Sequence, residues 1–229
     1  MKVLAIDTSN QVMGVGLVDG SNVLGEIVTN TKNNHSVRLM PAIEQLLSMC
    51  NVKSTELEKI VVAQGPGSYT GIRIGVTVAK TLAWSLQIPL SGVSSLAALA
   101  VNGVYFKGYI CPLFDARRQQ VFTGLYRWDN GLQVEEKDRI ILLPDWMQIV
   151  KKYEQPVLFI GQDLAIHQSM IEQELGEQAI FAKATINQPR PGALAILGAE
   201  EPAQDVHTFV PSYLRLAEAE AKWLANQNK

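Results

Sequence analysis

Two aspartates, three histidines and one glycine-rich loop are the groups whose types and spacing could do chemistry. Asp7 closes the apolar run Val3-Leu4-Ala5-Ile6, and Asp115 closes the run from Tyr109 to Phe114. Two carboxylates at equivalent strand ends suit magnesium and nucleotide chemistry. Asp7-Thr8-Ser9 and Asp115-Ala116-Arg117 read equally as plain turns, where aspartate is common. The loop is Gly65-Pro66-Gly67-Ser68-Tyr69-Thr70-Gly71, running on into Ile72-Arg73-Ile74-Gly75. Its G-x-G-x-x-x-G spacing, between an apolar run and a helical stretch, comes near a dinucleotide fingerprint. That chemistry needs a carboxylate about 20 residues further on to hold the ribose. No Asp or Glu occurs between Glu58 and Asp115. Pro66 removes an amide where a phosphate would want one. No Gly-Lys-Ser/Thr follows, so a P-loop is excluded.

His35, His167 and His207 form no i,i+4 pair, and Leu39 stands four residues after His35. A two-histidine metal helix is therefore absent, and no metal site is expected. There is no G-x-S-x-G elbow; a dispersed triad stays open. Arg73, Arg117 and Arg118 are isolated basic spots that read as solvated or paired. These patterns nominate no catalytic residue and no cofactor.

The 229 residues suit one large domain or two small ones. With 47% apolar and 18% charged residues the chain has an ordinary globular composition. A net charge of −2 gives no global pull towards nucleic acid or acidic lipid. Cys50 and Cys111 read as buried free thiols rather than a disulfide or zinc site. No apolar run reaches the ~18 residues of a membrane span, and Met1-Lys2 leads straight into a strand without a signal peptide. A cytoplasmic protein is expected.

The elements that must position these groups follow in order. Val3 to Ile6, Met13 to Val18 and Asn22 to Thr29 predict a three-stranded antiparallel meander, with Asp19-Gly20 as its hairpin turn. Gly14 and Gly16 weaken the second strand and leave room for something above it. Asn33 or Asn34 caps a helix from His35, with Leu39, Ile43, Leu46, Leu47 and Cys50 at helical spacing and Pro41 in its first turns. A short capped turn at Ser54 to Glu58 precedes the strand Ile60 to Ala63. A helix from Ile72 to Leu86, a strand from Pro89 to Val93 and a helix from Leu96 to Val101 follow.

Gly103 to Lys107 reads as a boundary, after which the pattern restarts. Gln120 to Trp128 and Val134 to Leu142 predict strands joined by Asp129-Asn130-Gly131. Pro144 to Lys152, Ile166 to Leu175, Pro191 to Ala199 and Ala217 to Asn226 predict helices, with a strand at Val157 to Gly161. The halves echo one another, which predicts an internally duplicated α/β architecture with lobes 1–102 and 103–229.

Gly71, Gly75, Ala79 and Ala83, spaced by four, make one smooth strip on the second long helix. It suits either the sheet of its own lobe or a partner helix. Ile74, Val76, Val78, Leu82 and Trp84 make this helix apolar all round, so it is expected to be covered on more than one side.

Leu4-Ala5-Ile6-Asp7-Thr8-Ser9, His35-Ser36, the Gly65 to Gly75 stretch, Asp115-Ala116-Arg117 and Pro211-Ser212-Tyr213-Leu214-Arg215 together resemble the TsaB family, also called YeaZ. The resemblance spans essentially the whole chain. It implies an actin-like, ribonuclease H-like fold of the sugar-kinase and Hsp70 class, with a reduced second lobe. It implies an accessory, non-catalytic role in making threonylcarbamoyladenosine at position 37 of tRNAs that read codons beginning with A. The related subunit TsaD carries its metal through His-x-x-x-His, whereas here Leu39 takes the second place. The resemblance implies binding and activation of TsaD, work alongside TsaE, self-association through the same face, and tRNA contact only through the complex. The expected interface is His35, Leu39, Ile43 and Leu46 on the first long helix, with Gly71, Gly75, Ala79 and Ala83 on the second. Asp7, Thr8, Ser9 and Asp115 would be a vestigial nucleotide loop. The alternative is an enzyme in its own right, either an ATP-using phosphotransferase built on Asp7 and Asp115 or a peptidase.

Overall fold

A computed structural model describes residues 1–31 and 34–215. The helix expected at Ala217 to Asn226 lies outside them. The first half runs β1 (Lys2–Asp7), β2 (Val12–Asp19), β3 (Asn22–Asn30), α1 (His35–Met49), β4 (Lys59–Ala63), α2 (Tyr69–Leu86), β5 (Leu90–Val93) and α3 (Ser95–Ala100). The second runs β6 (Tyr109–Asp115), β7 (Gln120–Trp128), β8 (Leu132–Leu142), α4 (Leu143–Val150), β9 (Val157–Ile160), α5 (Leu164–Leu175), β10 (Ala179–Phe181) and α6 (Pro191–Ala199). Asn34 caps α1 by accepting from the Ser36 amide, and Ser68 caps α2 by accepting from the Gly71 amide.

The sheets are ordered β3-β2-β1-β4-β5 and β10-β9-β6-β7-β8. The second reads as the first when β6 is matched to β1 and β9 to β4. In both, a parallel pair (β1 with β4, β6 with β9) flanks an antiparallel meander. The duplication expected from the sequence is thus present in the topology. Asp7 and Asp115 end equivalent strands.

Side chains alternate across each sheet, so each sheet has two apolar faces to cover. Leu4, Ile6, Ile60 and Val62 pack under α1 and α2, whereas Val3, Ala5, Val61 and Ala63 pack against Leu194 and Ala195 of α6. In the second sheet, Cys111, Leu113 and Phe159 meet α4 and α5. Ile110, Phe114, Phe122 and Tyr126 meet Leu96, Leu99 and Ala100 of α3. The layers are α1/α2, sheet, α6/α3, sheet, α4/α5.

The expected division lies at residue 103. The sheets do separate there, but each half sends its last helix onto the other half's sheet. α3, from the first half, covers the second sheet, and α6, from the second half, covers the first. Gly14 and Gly16 leave the predicted room, and α6 fills it. A Cβ at Gly16 would lie 2.6 Å from the Pro191 carbonyl carbon. Glu26 holds the start of α6, accepting from the Gly192 amide at 2.7 Å and pairing with Arg190 at 2.5 Å. Ser94, which caps α3, donates to Asp138 of β8, and Tyr126 donates to the other carboxylate oxygen. Burial pushes the Asp138 carboxyl above its ordinary range.

Beyond α6 the chain stays with the first lobe. Lys59, sunk in β4, donates to the carbonyls of Ala199 and Glu201. Lys80 donates to those of His207 and Phe209, and Phe209 is buried in the first core.

Candidate functional site

The Gly65 to Gly75 loop grips its own chain. The Ser68 amide donates to the Ser9 carbonyl at 2.7 Å, and the Thr8 hydroxyl donates to the Gly71 carbonyl at 2.7 Å. A Cβ on Gly67 would stand 2.2 Å from the Ser9 carbonyl oxygen, and one on Gly71 would stand 2.2 Å from that of Thr8. A Cβ on Gly65 would stand 2.5 Å from the Ser212 carbonyl oxygen. The glycines therefore serve contact between backbones, which only a residue without a side chain allows.

This contact seals Asp7. Its carboxylate is 1% exposed, and its Oδ1 accepts from the Ser9 amide and hydroxyl at 2.8 and 2.7 Å. Its Oδ2 has no partner, and burial raises its pKa. Asp115 instead lines a cleft between the lobes, where its Oδ1 meets His167 Nε2 at 3.1 Å. The two carboxylates share no common space, because Asp7 is not part of the cleft wall. Among the described residues no group of three or more His, Cys, Asp or Glu is placed to hold a metal.

The eight residues expected at a partner interface are placed as follows. Leu39, Ile43 and Leu46 are at most 3% exposed, within the first core. Gly71 and Gly75 press on Thr8, and Ala79 and Ala83 are buried beside them. His35 donates from Nε2 to the Asn10 carbonyl at 2.8 Å, and its Nδ1 is buried without a partner. The small-residue strip therefore rests on its own sheet through Gly71 and Gly75. The physical reason is β1. Its end carries Thr8, and only glycine lets α2 approach that closely.

The opposite face of the same two helices stays open. Val37 and Met40 of α1 are 68% and 45% exposed, and Trp84 of α2 is 58% exposed. Between the helices lies a groove of about 440 Å³ floored by Ile74 and Val78 and edged by Ser36, Tyr69, Arg73 and Thr77.

The cleft between the lobes holds about 660 Å³. Its walls include Asn10 and Ser68 from the first lobe, Arg117 from the second, and Tyr213 and Arg215 from the returning chain. Tyr213 stacks on Tyr69 with ring centres 4.9 Å apart, and Arg73 lies over the Tyr69 ring at 5.3 Å. Arg215 donates to the Ala116 carbonyl at 2.7 Å and to the Gln120 side chain. Arg117, Arg118 and Gln119 all take left-handed φ values, 61°, 54° and 60°. Such a turn costs about 1–2 kcal/mol per residue and tends to occur where function retains it. In the sequence, Tyr213 and Arg215 stand in the Pro211 to Arg215 run with no spacing that assigns them a role. Their contacts lie with residues far away in the chain.

The profile of the family described as TsaD, tRNA N6-adenosine threonylcarbamoyltransferase, matches residues 22–223. A Bacillus subtilis protein named tRNA threonylcarbamoyladenosine biosynthesis protein TsaB is 54% identical over 99% of this chain and 100% of its own length. The chain belongs to the TsaB family.

The structure of YeaZ from Pseudomonas aeruginosa superposes with a TM-score of 0.78, at 22% identity over 93% of this chain and 99% of that one. A ROK hexokinase from Thermus thermophilus gives a TM-score of 0.50 at 12% identity, covering 88% of this chain and 99% of that one. The fold is therefore actin-like, as the resemblance implied. Within this TsaB-family chain, the cleft of that fold keeps Asp115 while Asp7 is closed off by the glycine loop.

Proposed function

We propose that this chain is a non-catalytic accessory subunit in threonylcarbamoyladenosine biosynthesis on tRNA. It binds and activates the catalytic subunit TsaD through the outer face of α1 and α2, works with TsaE, and meets tRNA within the complex, in the cytoplasm. A second copy of the chain competes for the same face. The observation that carries the reading is that α1 and α2 leave Val37, Met40 and Trp84 exposed and carry a groove lined by Ile74 and Val78. Two further facts support it. The full-length relative from Bacillus subtilis bears the name of this pathway. The sealed Asp7, and Leu39 four residues after His35, speak against phosphotransfer and metal-dependent peptide hydrolysis by the described residues.

The test is co-purification with TsaD and TsaE, with the mass of the complex measured by light scattering. Trp84→Glu places a charge on the face and is expected to abolish the complex while the subunit stays folded. A folded Trp84→Glu chain that still assembles fully would overturn the reading. So would tight ATP binding by the isolated subunit that is lost in Asp7→Ala.

A further inference from the structure

Resting on the tRNA-modification reading above, we propose that the interlobe cleft is a site for single-stranded RNA, taking one nucleotide unit. A base stacks on Tyr213 and a phosphate meets Arg117, with no metal ion required.

The first observation is charge. Three arginines elsewhere in the chain carry carboxylate partners, Arg127 with Glu135 at 3.1 Å, Arg139 with Glu136 at 2.5 Å and Arg190 with Glu26 at 2.5 Å, while Arg38 donates to the Thr31 hydroxyl. At the cleft, Arg117 and Arg215 have no carboxylate partner among the described residues. The Arg117 side chain is exposed and makes no hydrogen bond or ion pair among the described residues. Arg215 is held by a carbonyl and a side-chain amide, both neutral groups. The carboxylate in the wall, Asp115, is engaged by His167. A chain with net charge −2 thus places two guanidinium groups, Arg117 and Arg215, in one concavity without a carboxylate partner among the described residues.

The second observation is aromatic. Tyr69 and Tyr213 remain 43% and 40% exposed although stacked on one another. Both line the cleft, whose 660 Å³ lies in the range of small-ligand sites. Exposed rings beside arginines without a carboxylate partner are the combination by which proteins hold unpaired nucleotides, base on ring and phosphate on guanidinium, with little dependence on sequence. Free nucleoside triphosphates are commonly bound with a magnesium ion held by carboxylates. Here Asp7 is sealed and Asp115 is taken, so a strand of singly charged phosphates is the better match.

The experiment is fluorescence anisotropy on the full-length chain. The probe is a labelled stem–loop RNA with an unpaired loop, and the competitors are a blunt RNA duplex and ATP with magnesium. The stem–loop is expected to bind and to weaken as salt rises. The duplex should compete poorly and ATP not at all. Arg117→Gln and Tyr213→Ala should each weaken binding about tenfold, with Arg117→Lys recovering part of the loss. Equal binding of the duplex, or affinity unchanged in both variants, would overturn the proposal. Displacement by ATP would overturn the RNA assignment in favour of a free mononucleotide. The same variants are weighed with TsaD by light scattering. Arg117 lies off the α1–α2 face, so an intact complex with lost RNA binding separates this site from the docking face. Failure of the wild-type chain to assemble would strike the docking reading alone.

Discussion

A Cβ on Gly75 would stand 2.4 Å from the Thr8 hydroxyl oxygen, so α2 lies directly on the end of the first strand. Gly75→Ala is therefore expected to destabilise the fold by about 2 kcal/mol, in the range of overpacked cores. The ~1 kcal/mol that alanine gains in helix propensity offsets only part of this strain. Urea denaturation measures the loss. Unchanged stability with lost assembly would mean that Gly75 faces outward after all.

The outer face of the same helices should behave in the opposite way. Trp84 is 58% exposed, so Trp84→Ala should leave the denaturation midpoint nearly unchanged. As a large aromatic at a docking face it should cost the complex about 2 kcal/mol or more, roughly thirtyfold in Kd. Titration with TsaD reads this. A midpoint that falls while affinity holds would place Trp84 in the fold rather than the interface.

The exchange of α3 and α6 predicts that the first hundred residues do not form a stable unit. A fragment ending before β6 would leave Val3, Ala5, Val61 and Ala63 without Leu194 and Ala195. It would also leave Leu96 and Leu99 without Phe114 and Tyr126. Circular dichroism and sedimentation should find it poorly folded or aggregated. A cooperative melt from that fragment would refute the shared core.

Asp138 sets a pH dependence of known sign. Its folded pKa lies above the ordinary 3.8 because of burial, so the protonated form is favoured in the folded state. That contribution is complete below the unfolded value and is lost as pH rises through the folded one. Asp138→Asn cannot ionise. The stability gap between wild type and Asp138→Asn should thus be widest in acid and shrink towards neutral pH. Chemical denaturation across that range measures the gap; one that grows with pH would contradict the assignment.

Much of the fold was legible in the sequence because local signals decide it. Asp19-Gly20 marks the first hairpin, Gly14 and Gly16 announce a close neighbour, and the aspartates ending matched strands expose the duplication. What the sequence could not supply was the identity of distant neighbours. Four-residue spacing showed that Gly71, Gly75, Ala79 and Ala83 form a smooth strip. It did not say whether a partner or Thr8 lies on it. The small, apolar Pro191–Ala199 helix was legible as a helix, but not as belonging to the other sheet. The cleft depends on Tyr213 meeting Tyr69 and on Arg215 meeting Ala116, contacts that no spacing rule encodes.

The crossing of α3 and α6 also governs how the chain is born. The first sheet emerges early from the ribosome, yet the helix that covers its inner face is made only after the whole second sheet. Until residues 191–199 have emerged, Val3, Ala5, Val61 and Ala63 face water or a chaperone. The two lobes therefore mature together near the end of synthesis, as one cooperative unit.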